Sequence, residues 1–165
     1  MYYSNIIPFD IANGPGFRTT LFVSGCRRGC KGCFNKDTWS FTYGKPFDIL
    51  ARHELLTALD NPNVQGLSIL GGDPFEPENR AAVEDICKKV RDWRPDRDIW
   101  VWTGFKYEDI KDSPILYDID ILVDGPFVEE LKDLSLPYCG SSNQRVIDVQ
   151  ASRRAGEVVL WEPGK

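Results

Sequence analysis

A predicted strand runs directly into a cysteine-rich loop in residues 19–33, which read TTLFVSGCRRGCKGC. The apolar run that ends at Val23 is typical of a buried strand. It is followed by Cys26, Cys30 and Cys33, which are three of the five cysteines in the chain. Cysteines used only for packing have no reason to cluster in this way. We therefore interpret the three thiols as ligands at the carboxyl end of a strand, where α/β sheets bind their ligands.

The number of thiols limits the kind of metal site. A structural zinc site needs four donors, and the only histidine in the sequence is His53. A disulfide would leave one thiol over, and we expect the protein to lie in the cytoplasm, where disulfides are reduced. A 4Fe-4S cluster held by three thiolates would leave one iron open to another molecule. The cluster is the favoured interpretation, and three thiols without a metal remain the alternative.

The spacing of the three cysteines also fits one face of a helix, at positions i, i+4 and i+7. Gly25, Gly29 and Gly32 argue against a helix, because glycine lowers helix stability and permits positive φ angles. A glycine-rich loop lets backbone amides approach the sulfurs of a cluster. We therefore predict a loop.

Composition indicates one globular domain over residues 1–165, with a core at about 5–149 and a C-terminal arm at 150–165 to which we assign no role. The chain is 42% hydrophobic, which argues against disorder, and its net charge of -5 gives no basic surface for nucleic acid. It contains no apolar run of about 18 residues and no signal-peptide pattern. We expect a cytoplasmic protein without nucleic-acid or membrane partners.

Predicted strands alternate with predicted helices along the rest of the chain. The predicted strands are 67–70, 98–102, 119–123 and 146–149, the clearest helix is 77–93, and a short helix is predicted near 107–111. Such alternation gives parallel strands, because crossover connections are right-handed. About five strands are too few for an eight-stranded barrel. We therefore predict an α/β fold, an open partial (β/α) barrel with a mostly parallel sheet in a single domain.

Several side chains in these elements are expected to be structural. Cys87 lies on the apolar stripe of helix 77–93, and Trp100 and Trp102 lie in a strand that is apolar on both faces. His53 falls in an apolar set that recurs at helical spacing, and we favour a helix residue at the core boundary over a ligand. The set consists of Ile49, Leu50, His53, Leu56 and Leu59. Residues 153–161 are expected to form a turn and a hairpin arm.

Residues 71–74, which read GGDP, end the strand that precedes them. Gly71 and Gly72 would expose backbone groups to a ligand, and Asp73 can offer a carboxylate to an ammonium group. An ordinary turn is the alternative, and it would be preferred if the cysteine loop were absent. Thr103 also follows a strand on the ligand side, while Asp124 serves either a site or a turn.

Several motifs resemble a known family. The Cys26-x3-Cys30-x2-Cys33 spacing, the aromatic Phe34 and the GGDP segment resemble the radical S-adenosylmethionine enzymes. Residues 13–18 (NGPGFR) resemble the N-terminal motif of the glycyl-radical activases within them. Residues 100–104 (WVWTG), 124–125 (DG) and 140–145 (GSSNQR) are similar to the activases of anaerobic ribonucleoside-triphosphate reductase, and the likeness covers about residues 5–147. In this family Phe34 is often tyrosine, and Cys139 stands where arginine is expected.

The resemblance implies a set of cofactors and contacts. A 4Fe-4S cluster would be held by Cys26, Cys30 and Cys33, with its open iron bound to S-adenosylmethionine. The implied contacts to S-adenosylmethionine come from Gly32, Phe34, Gly71, Gly72, Asp73 and Thr103. The implied reaction is reductive cleavage of S-adenosylmethionine followed by hydrogen abstraction from a glycine of the partner, so that no catalytic side chain is needed beyond the cluster and cofactor. The implied partners are the reductase large subunit and a one-electron donor such as a flavodoxin.

Two other functions stay open on the sequence. One is a radical S-adenosylmethionine enzyme that acts on a small molecule, such as a pterin-derived substrate. The other is a non-catalytic iron-sulfur electron-transfer module, which would need Cys87 or Cys139 as a fourth ligand. Likewise, Arg27, Arg28 and Lys31 either complement acidic groups of a partner or are solvated loop charges.

Overall fold

A computed structural model of the protein describes residues 1–164, so that Lys165, the last residue of the predicted arm, lies outside the described residues. The strands are β1 (Tyr2–Asp10), β2 (Phe17–Val23), β3 (Lys45–Pro46), β4 (Val64–Gly71), β5 (Asp98–Trp102), β6 (Ile121–Asp124) and β7 (Arg145–Asp148). The helices are α1 (Ile49–Leu59), α2 (Pro77–Trp93), α3 (Tyr107–Ile110) and α4 (Val149–Ala155), with 3-10 turns at Lys36–Trp39, Pro114–Tyr117 and Glu129–Leu131.

The seven strands form one mixed sheet in the order β3-β1-β2-β4-β5-β6-β7. Strands β2, β4, β5 and β6 run parallel, but β1 pairs antiparallel with both β2 and β3, and β7 pairs antiparallel with β6. The predicted α/β open partial barrel with a mostly parallel sheet is therefore wrong. The prediction fails at the flanks, where the connection from β1 to β2 is too short for a crossover and the chain returns from β6 to β7 through a 3-10 turn.

The first strand meets one of two expectations for the segment that contains Pro8. Because proline has no N–H for the ladder, Pro8 is expected to confine this segment to an edge or to irregular structure. In fact β1 lies between β2 and β3, inside the sheet. The pairing of β1 with β2 shifts register between Ile7 and Asp10, and Pro8 lies in this irregular stretch.

The long helix α2 has the predicted bounds, which confirms the reading of its apolar stripe. It begins at Pro77, where a missing N–H costs no hydrogen bond, and it buries Val83, Ile86, Cys87 and Val90. The prediction that Cys87 is a core residue is confirmed.

Helix α1 presents a different face from the predicted one. Its buried residues are Ala51, Leu55 and Leu59, whereas Ile49 and Leu50 are 75% and 74% exposed. His53 lies on the helix as expected, but it is exposed rather than at the core boundary. Apolar residues at helical spacing therefore identified the helix correctly and its buried face only in part.

The predicted turn at 153–156 is wrong for residues 153–155, which belong to α4, whereas the predicted arm at 157–161 does lie antiparallel to β7, with Leu160 bridged to Ile147. The Asp148 side chain caps α4 by accepting a hydrogen bond from the Ala151 N–H (2.8 Å), and Gly156 ends it with a φ of 74°. The chain then returns beside β7, where the Trp161 N–H donates to the Val146 carbonyl (2.9 Å). Trp161 packs edge-on against Trp100, with ring centroids 5.0 Å apart, so the tail covers one face of the sheet.

The parallel strands bring four loops to one edge of the sheet. Val23 of β2 is paired with Gly71 of β4, and Trp102 of β5 is paired with Val123 of β6. The loops that follow these strands therefore begin side by side. None of the helices in residues 1–164 has the length and apolar character needed to cross a bilayer.

Candidate functional site

A cavity of about 210 Å3 opens at this edge of the sheet. Its lining includes most of the predicted site residues, namely Cys26, Cys30, Cys33, Phe34, Gly71, Gly72, Asp73 and Thr103. Gly32 faces Glu129 instead, since a Cβ atom added to Gly32 would lie 2.7 Å from the Glu129 carboxylate oxygen. The strand ends thus gather the two predicted motifs into one site.

The cysteine segment is a loop, as its glycines predicted. Gly25, Gly29 and Gly32 have φ angles of 103°, 60° and 73°, which an α-helix does not permit. The Cys26 N–H donates to the Trp39 carbonyl (3.2 Å), which fixes the start of the loop.

All five cysteines are free thiols, and the three in the loop are half-buried. Burial is the main cause that raises the pKa of Cys26 to about 11, the backbone amide of Arg28 opposes the rise, and the carboxylates of Asp73 and Glu76 add to it. Because the thiolate is the form that binds metal, a metal at Cys26 must displace this proton. The backbone amide of Asn35 donates to the Cys33 sulfur at 3.4 Å, which is the kind of contact expected around a cluster.

The donor set fits a cluster with three protein ligands. Cys87 lies on α2 and is fully buried, and Cys139 packs against the buried side chains of Trp100, Ile121 and Val123. Within residues 1–164, no group of three or more cysteine, histidine, aspartate or glutamate side chains is arranged to hold a single metal ion. Each iron of a 4Fe-4S cluster takes its own thiolate, so the three cysteines that line the cavity match the number that leaves one iron open.

Gly71 and Gly72 allow two backbones to approach closely. The Gly72 N–H donates to the Val23 carbonyl (2.7 Å), and the Asp73 N–H donates to the Gly25 carbonyl (2.9 Å). A Cβ atom on Gly72 would lie 2.6 Å from the Gly25 carbonyl oxygen, and one on Gly71 would lie 2.6 Å from that of Val23. The glycines are therefore needed to seat the GGDP segment against the cysteine loop.

Asp73 is only 1% exposed and ties two of the loops together. Its Oδ1 accepts hydrogen bonds from the Thr103 hydroxyl (2.7 Å) and the Phe75 N–H (3.0 Å), and its Oδ2 accepts from the Gly104 N–H (2.9 Å). Arg28 Nε lies 3.5 Å from Oδ2. Burial raises the pKa of Asp73, while these hydrogen bonds oppose the rise. Asp73 lines the cavity, and its Oδ2 accepts one hydrogen bond, which leaves one acceptor position for a second donor.

The sequence did not indicate a role for Asn79, which joins the cysteine loop to the GGDP segment. Asn79 is 1% exposed, and its amide donates to the Ser24 carbonyl (3.0 Å) and the Asp73 carbonyl (2.9 Å). Asn79 lies in the first turn of α2, where a polar residue looks like ordinary helix surface. The sequence carries no signal that this side chain points inward.

The far side of the cavity contains residues of the segments 124–125 and 140–145, which are part of the resemblance but were assigned no role in the site. Gln144 accepts hydrogen bonds from the Gly140 N–H (2.8 Å) and the Ser141 N–H (3.2 Å), and it donates to the Gly125 carbonyl (2.9 Å). The polar run 140–145 was the available signal. Other lining residues not assigned to the site are Arg28, Asn35, Trp39, Leu70, Trp102, Gly104 and Phe127. Trp102, expected in the core, therefore lies at the cavity, whereas Trp100 is buried as expected.

The basic residues of the loop are paired within the chain. Lys31 Nζ lies 3.0 Å from a carboxylate oxygen of Glu129, and the Arg28 guanidinium lies 4.1 Å from the Phe105 ring centroid. Arg27 pairs with Glu76 and Glu78. These side chains are thus neither simply solvated nor fully available to a partner.

The buried Asp124 accepts hydrogen bonds from the Tyr107 N–H (2.7 Å) and from the Arg145 guanidinium. These partners lie 17 and 21 residues away along the chain, so Asp124 joins distant segments and does not cap a local turn. Asp124 is also not among the residues that line the cavity, so neither of the two alternatives is confirmed.

Comparisons with known proteins agree with this site. The family model of the 4Fe-4S single cluster domain matches residues 12–147. A protein of Escherichia coli (strain K12) is 43% identical over 150 residues, covering 88% of this chain and 97% of the relative. One of Enterobacteria phage T4 is 41% identical over 146 residues (88% and 93%), and one of Pasteurella multocida (strain Pm70) is 44% identical over 150 residues (87% and 95%). All three are called anaerobic ribonucleoside-triphosphate reductase-activating protein. The chain belongs to the family of these activating proteins, with a 4Fe-4S single cluster domain.

Proposed function

We propose that this chain activates an anaerobic ribonucleoside-triphosphate reductase by reductive cleavage of S-adenosylmethionine and abstraction of a hydrogen atom from a glycine of the reductase. The names of the relatives support the partner. The observation that carries the chemistry is that three free thiols share one cavity while Cys87 and Cys139 lie elsewhere. A 4Fe-4S cluster on three thiolates keeps one iron available for a second molecule.

The cofactors carry the difficult chemistry, and the protein supplies binding and orientation. When bound, the cluster supplies one electron and S-adenosylmethionine supplies the 5′-deoxyadenosyl group that takes the hydrogen atom. Cys26, Cys30 and Cys33 would hold the cluster. No general acid or base is required for these steps.

The remaining cavity residues would hold S-adenosylmethionine. Asp73 Oδ2 has capacity for an ammonium donor, and Gly71 and Gly72 leave the strand end free of side chains. Phe34 lines the cavity and is 69% exposed, so its ring is available to pack on an adenine. Thr103 would act through Asp73, to which its hydroxyl donates. Gly32 has no side chain and faces Glu129, so that any contact to S-adenosylmethionine would come from its backbone.

Aromatic residues give the cavity its water-excluding walls. Trp39, Trp102 and Phe127 line it, and Leu70 adds an apolar surface at the strand end. Exclusion of water protects a reactive intermediate from side reactions.

We also propose that a one-electron donor such as a flavodoxin reduces the cluster. A cytoplasmic location suits the five free thiols.

The test uses anaerobically reconstituted protein, dithionite and S-adenosylmethionine, with 5′-deoxyadenosine and methionine as the measured products. Cys26→Ala, Cys30→Ala and Cys33→Ala should each abolish cleavage, whereas Cys139→Ala should leave it intact. Addition of the reductase should then give the electron paramagnetic resonance signal of a glycyl radical. Cleavage that survives any one of the three loop substitutions would contradict the proposal.

The same assay addresses the two other functions. A non-catalytic electron-transfer module would show a cluster but no cleavage, and it would need a fourth ligand. Turnover of a small substrate without the reductase would indicate a different radical S-adenosylmethionine enzyme. No contact among the described residues favours either function.

A further inference from the structure

A buried carboxylate reaches from the start of α2 to the cysteine loop. Glu76 is 4% exposed, and its Oε1 accepts a hydrogen bond from the Arg27 backbone N–H (2.8 Å). Its Oε2 accepts from the Arg27 guanidinium (2.7 Å). A carboxylate this deeply buried is costly unless it is paired, and Arg27 provides both partners. One side chain thus holds the backbone and the side chain of the residue next to Cys26.

The Arg27 side chain is also held from other directions. Glu78 pairs with the outer part of the guanidinium, and the Phe41 ring centroid lies 4.2 Å from its central carbon. Phe41 in turn covers Gly25, where an added Cβ atom would lie 2.3 Å from the ring. The guanidinium is therefore fixed between an aromatic face and two carboxylates.

The contact between Glu76 and Arg27 also affects the geometry around the thiols, because Arg27 lies in the loop that carries them. Arg27 lies between Cys26 and Cys30, so the hydrogen bond from its backbone N–H to Glu76 fixes the peptide that directly follows Cys26. Rotation of the backbone at Arg27 would move the neighbouring amides relative to the Cys26 sulfur. Amide contacts to ligand sulfurs influence both the binding and the potential of an iron-sulfur cluster.

We propose that Glu76 is a positioning residue for the cluster, because it holds the backbone between Cys26 and Cys30 in the conformation that binds iron. The inference rests on the cluster-binding part of the proposed function and is independent of S-adenosylmethionine cleavage. Glu76 acts through Arg27. It also places a negative charge near the cluster, which makes reduction harder, so its neutralisation shifts the reduction potential to a less negative value.

The test compares Glu76→Ala, Glu76→Gln and Glu78→Gln in the full-length chain. Glu76→Ala removes both contacts to Arg27, Glu76→Gln keeps an acceptor for the backbone N–H, and Glu78→Gln changes the exposed partner of the same arginine. The measurements are iron release to a ferrous chelator, the reduction potential from a dithionite titration, and hydrogen exchange of residues 26–33 in the apo-protein.

We expect Glu76→Ala to release iron roughly tenfold faster than the unmodified protein, as for the loss of a hydrogen bond to a charged group. Its apo-protein should exchange faster at residues 26–33. Glu76→Gln should release iron at an intermediate rate and have a less negative potential, while Glu78→Gln should resemble the unmodified protein.

Several results would overturn the inference. Equal iron release and equal potentials in Glu76→Gln and the unmodified protein would do so, and this comparison remains valid if Glu76→Ala fails to fold. Equal effects of Glu76→Gln and Glu78→Gln would mean that both substitutions act only through the lost negative charge, and that the buried contact of Glu76 with Arg27 has no role of its own. If the unmodified protein assembles no cluster, the proposed function fails, and unchanged exchange at residues 26–33 of Glu76→Ala or Glu76→Gln would then overturn this inference separately.

Discussion

The two sides of the cavity are built differently. The inner wall, formed by Cys26, Gly71, Gly72, Asp73 and Thr103, is held by hydrogen bonds between buried groups at the strand ends. On the outer wall, Phe34 and Phe127 line the cavity with their rings 6.1 Å apart, and the exposed Lys31–Glu129 ion pair joins the two segments that carry these rings. Buried contacts fix geometry, whereas exposed ion pairs contribute little to stability. The inner wall is therefore the rigid part of the site, and substitutions there should have the larger effects.

The largest effect is expected at Gly72. Gly72→Ala would place a methyl group 2.6 Å from the Gly25 carbonyl oxygen, and the atoms in the way belong to the backbone of the cysteine loop. We expect loss of iron incorporation and a destabilisation of about 3 kcal/mol, at the upper end for overpacking. Iron analysis after reconstitution and urea unfolding measure the two effects.

Gly29→Ala is the matched control, because a Cβ atom at Gly29 has nothing within 4 Å among the described residues. Its φ of 60° costs about 1 kcal/mol for alanine, and iron incorporation should persist. Equal iron incorporation in both variants would show that the close approach at Gly72 does not matter.

A smaller effect is expected at Thr103. Thr103→Val keeps the shape of the side chain but removes the hydroxyl that donates to Asp73 and accepts from the Phe105 N–H. We expect a destabilisation of about 1–2 kcal/mol and weaker binding of S-adenosylmethionine, because Asp73 loses one of its orienting contacts. Urea unfolding and a binding titration on the reconstituted protein measure both. Unchanged stability would mean that this buried hydrogen bond makes no net contribution.

A still smaller effect, on the pH dependence of stability, is expected outside the cavity. There Arg145 bridges the buried Asp124 and the exposed Glu108. The hydrogen bond from Arg145 lowers the pKa of Glu108 to about 2 from 4.5. A lowered pKa stabilises the fold above the unfolded-state pKa, and this contribution is lost as the pH falls from 4.5 towards 2. Because Glu108 is exposed, we expect Glu108→Gln to cost less than about 1 kcal/mol at pH 7.

Urea unfolding of Glu108→Gln and the unmodified protein at several pH values tests this effect. The difference in stability should shrink as the pH falls through this window and vanish only below pH 2. A difference that stays constant down to pH 2 would assign the effect of the substitution to something other than the charge of Glu108.

The smallest effect is expected in the outer wall. Lys31→Met removes the exposed pair with Glu129 and a second contact to Glu130. We expect no measurable change in the urea midpoint or in iron incorporation, since water and salt screen such pairs. A clear loss of iron would show that the outer wall is as important for the cluster as the inner wall.

Features set by neighbouring residues could be predicted from the sequence, whereas features set by contacts between distant segments could not. The cysteine loop, the GGDP segment and helix 77–93 are local patterns, since glycine conformation and an apolar stripe depend on neighbouring residues. The direction of β1 and β7 was missed, because pairing depends on contacts between distant parts of the chain.

Residues that act across long sequence separations were missed for the same reason. Asn79 contacts Ser24, Gln144 contacts Gly125, and Glu76 contacts Arg27, and in each case the side chain alone looks like ordinary polar surface. Helix α4 replaced the predicted turn, since its polar residues form a capped helix that packs on the sheet. Local chemistry predicts which residues are the ligands of the site, and tertiary contacts determine what supports them.

The most direct test of the account is an electron paramagnetic resonance spectrum of the anaerobically reconstituted, dithionite-reduced protein, recorded with and without S-adenosylmethionine. We predict the signal of a reduced 4Fe-4S cluster that changes when S-adenosylmethionine is added, because Cys26, Cys30 and Cys33 leave one iron open. A reduced cluster whose spectrum is the same with and without S-adenosylmethionine would mean that all four irons are closed, and it would contradict the central claim.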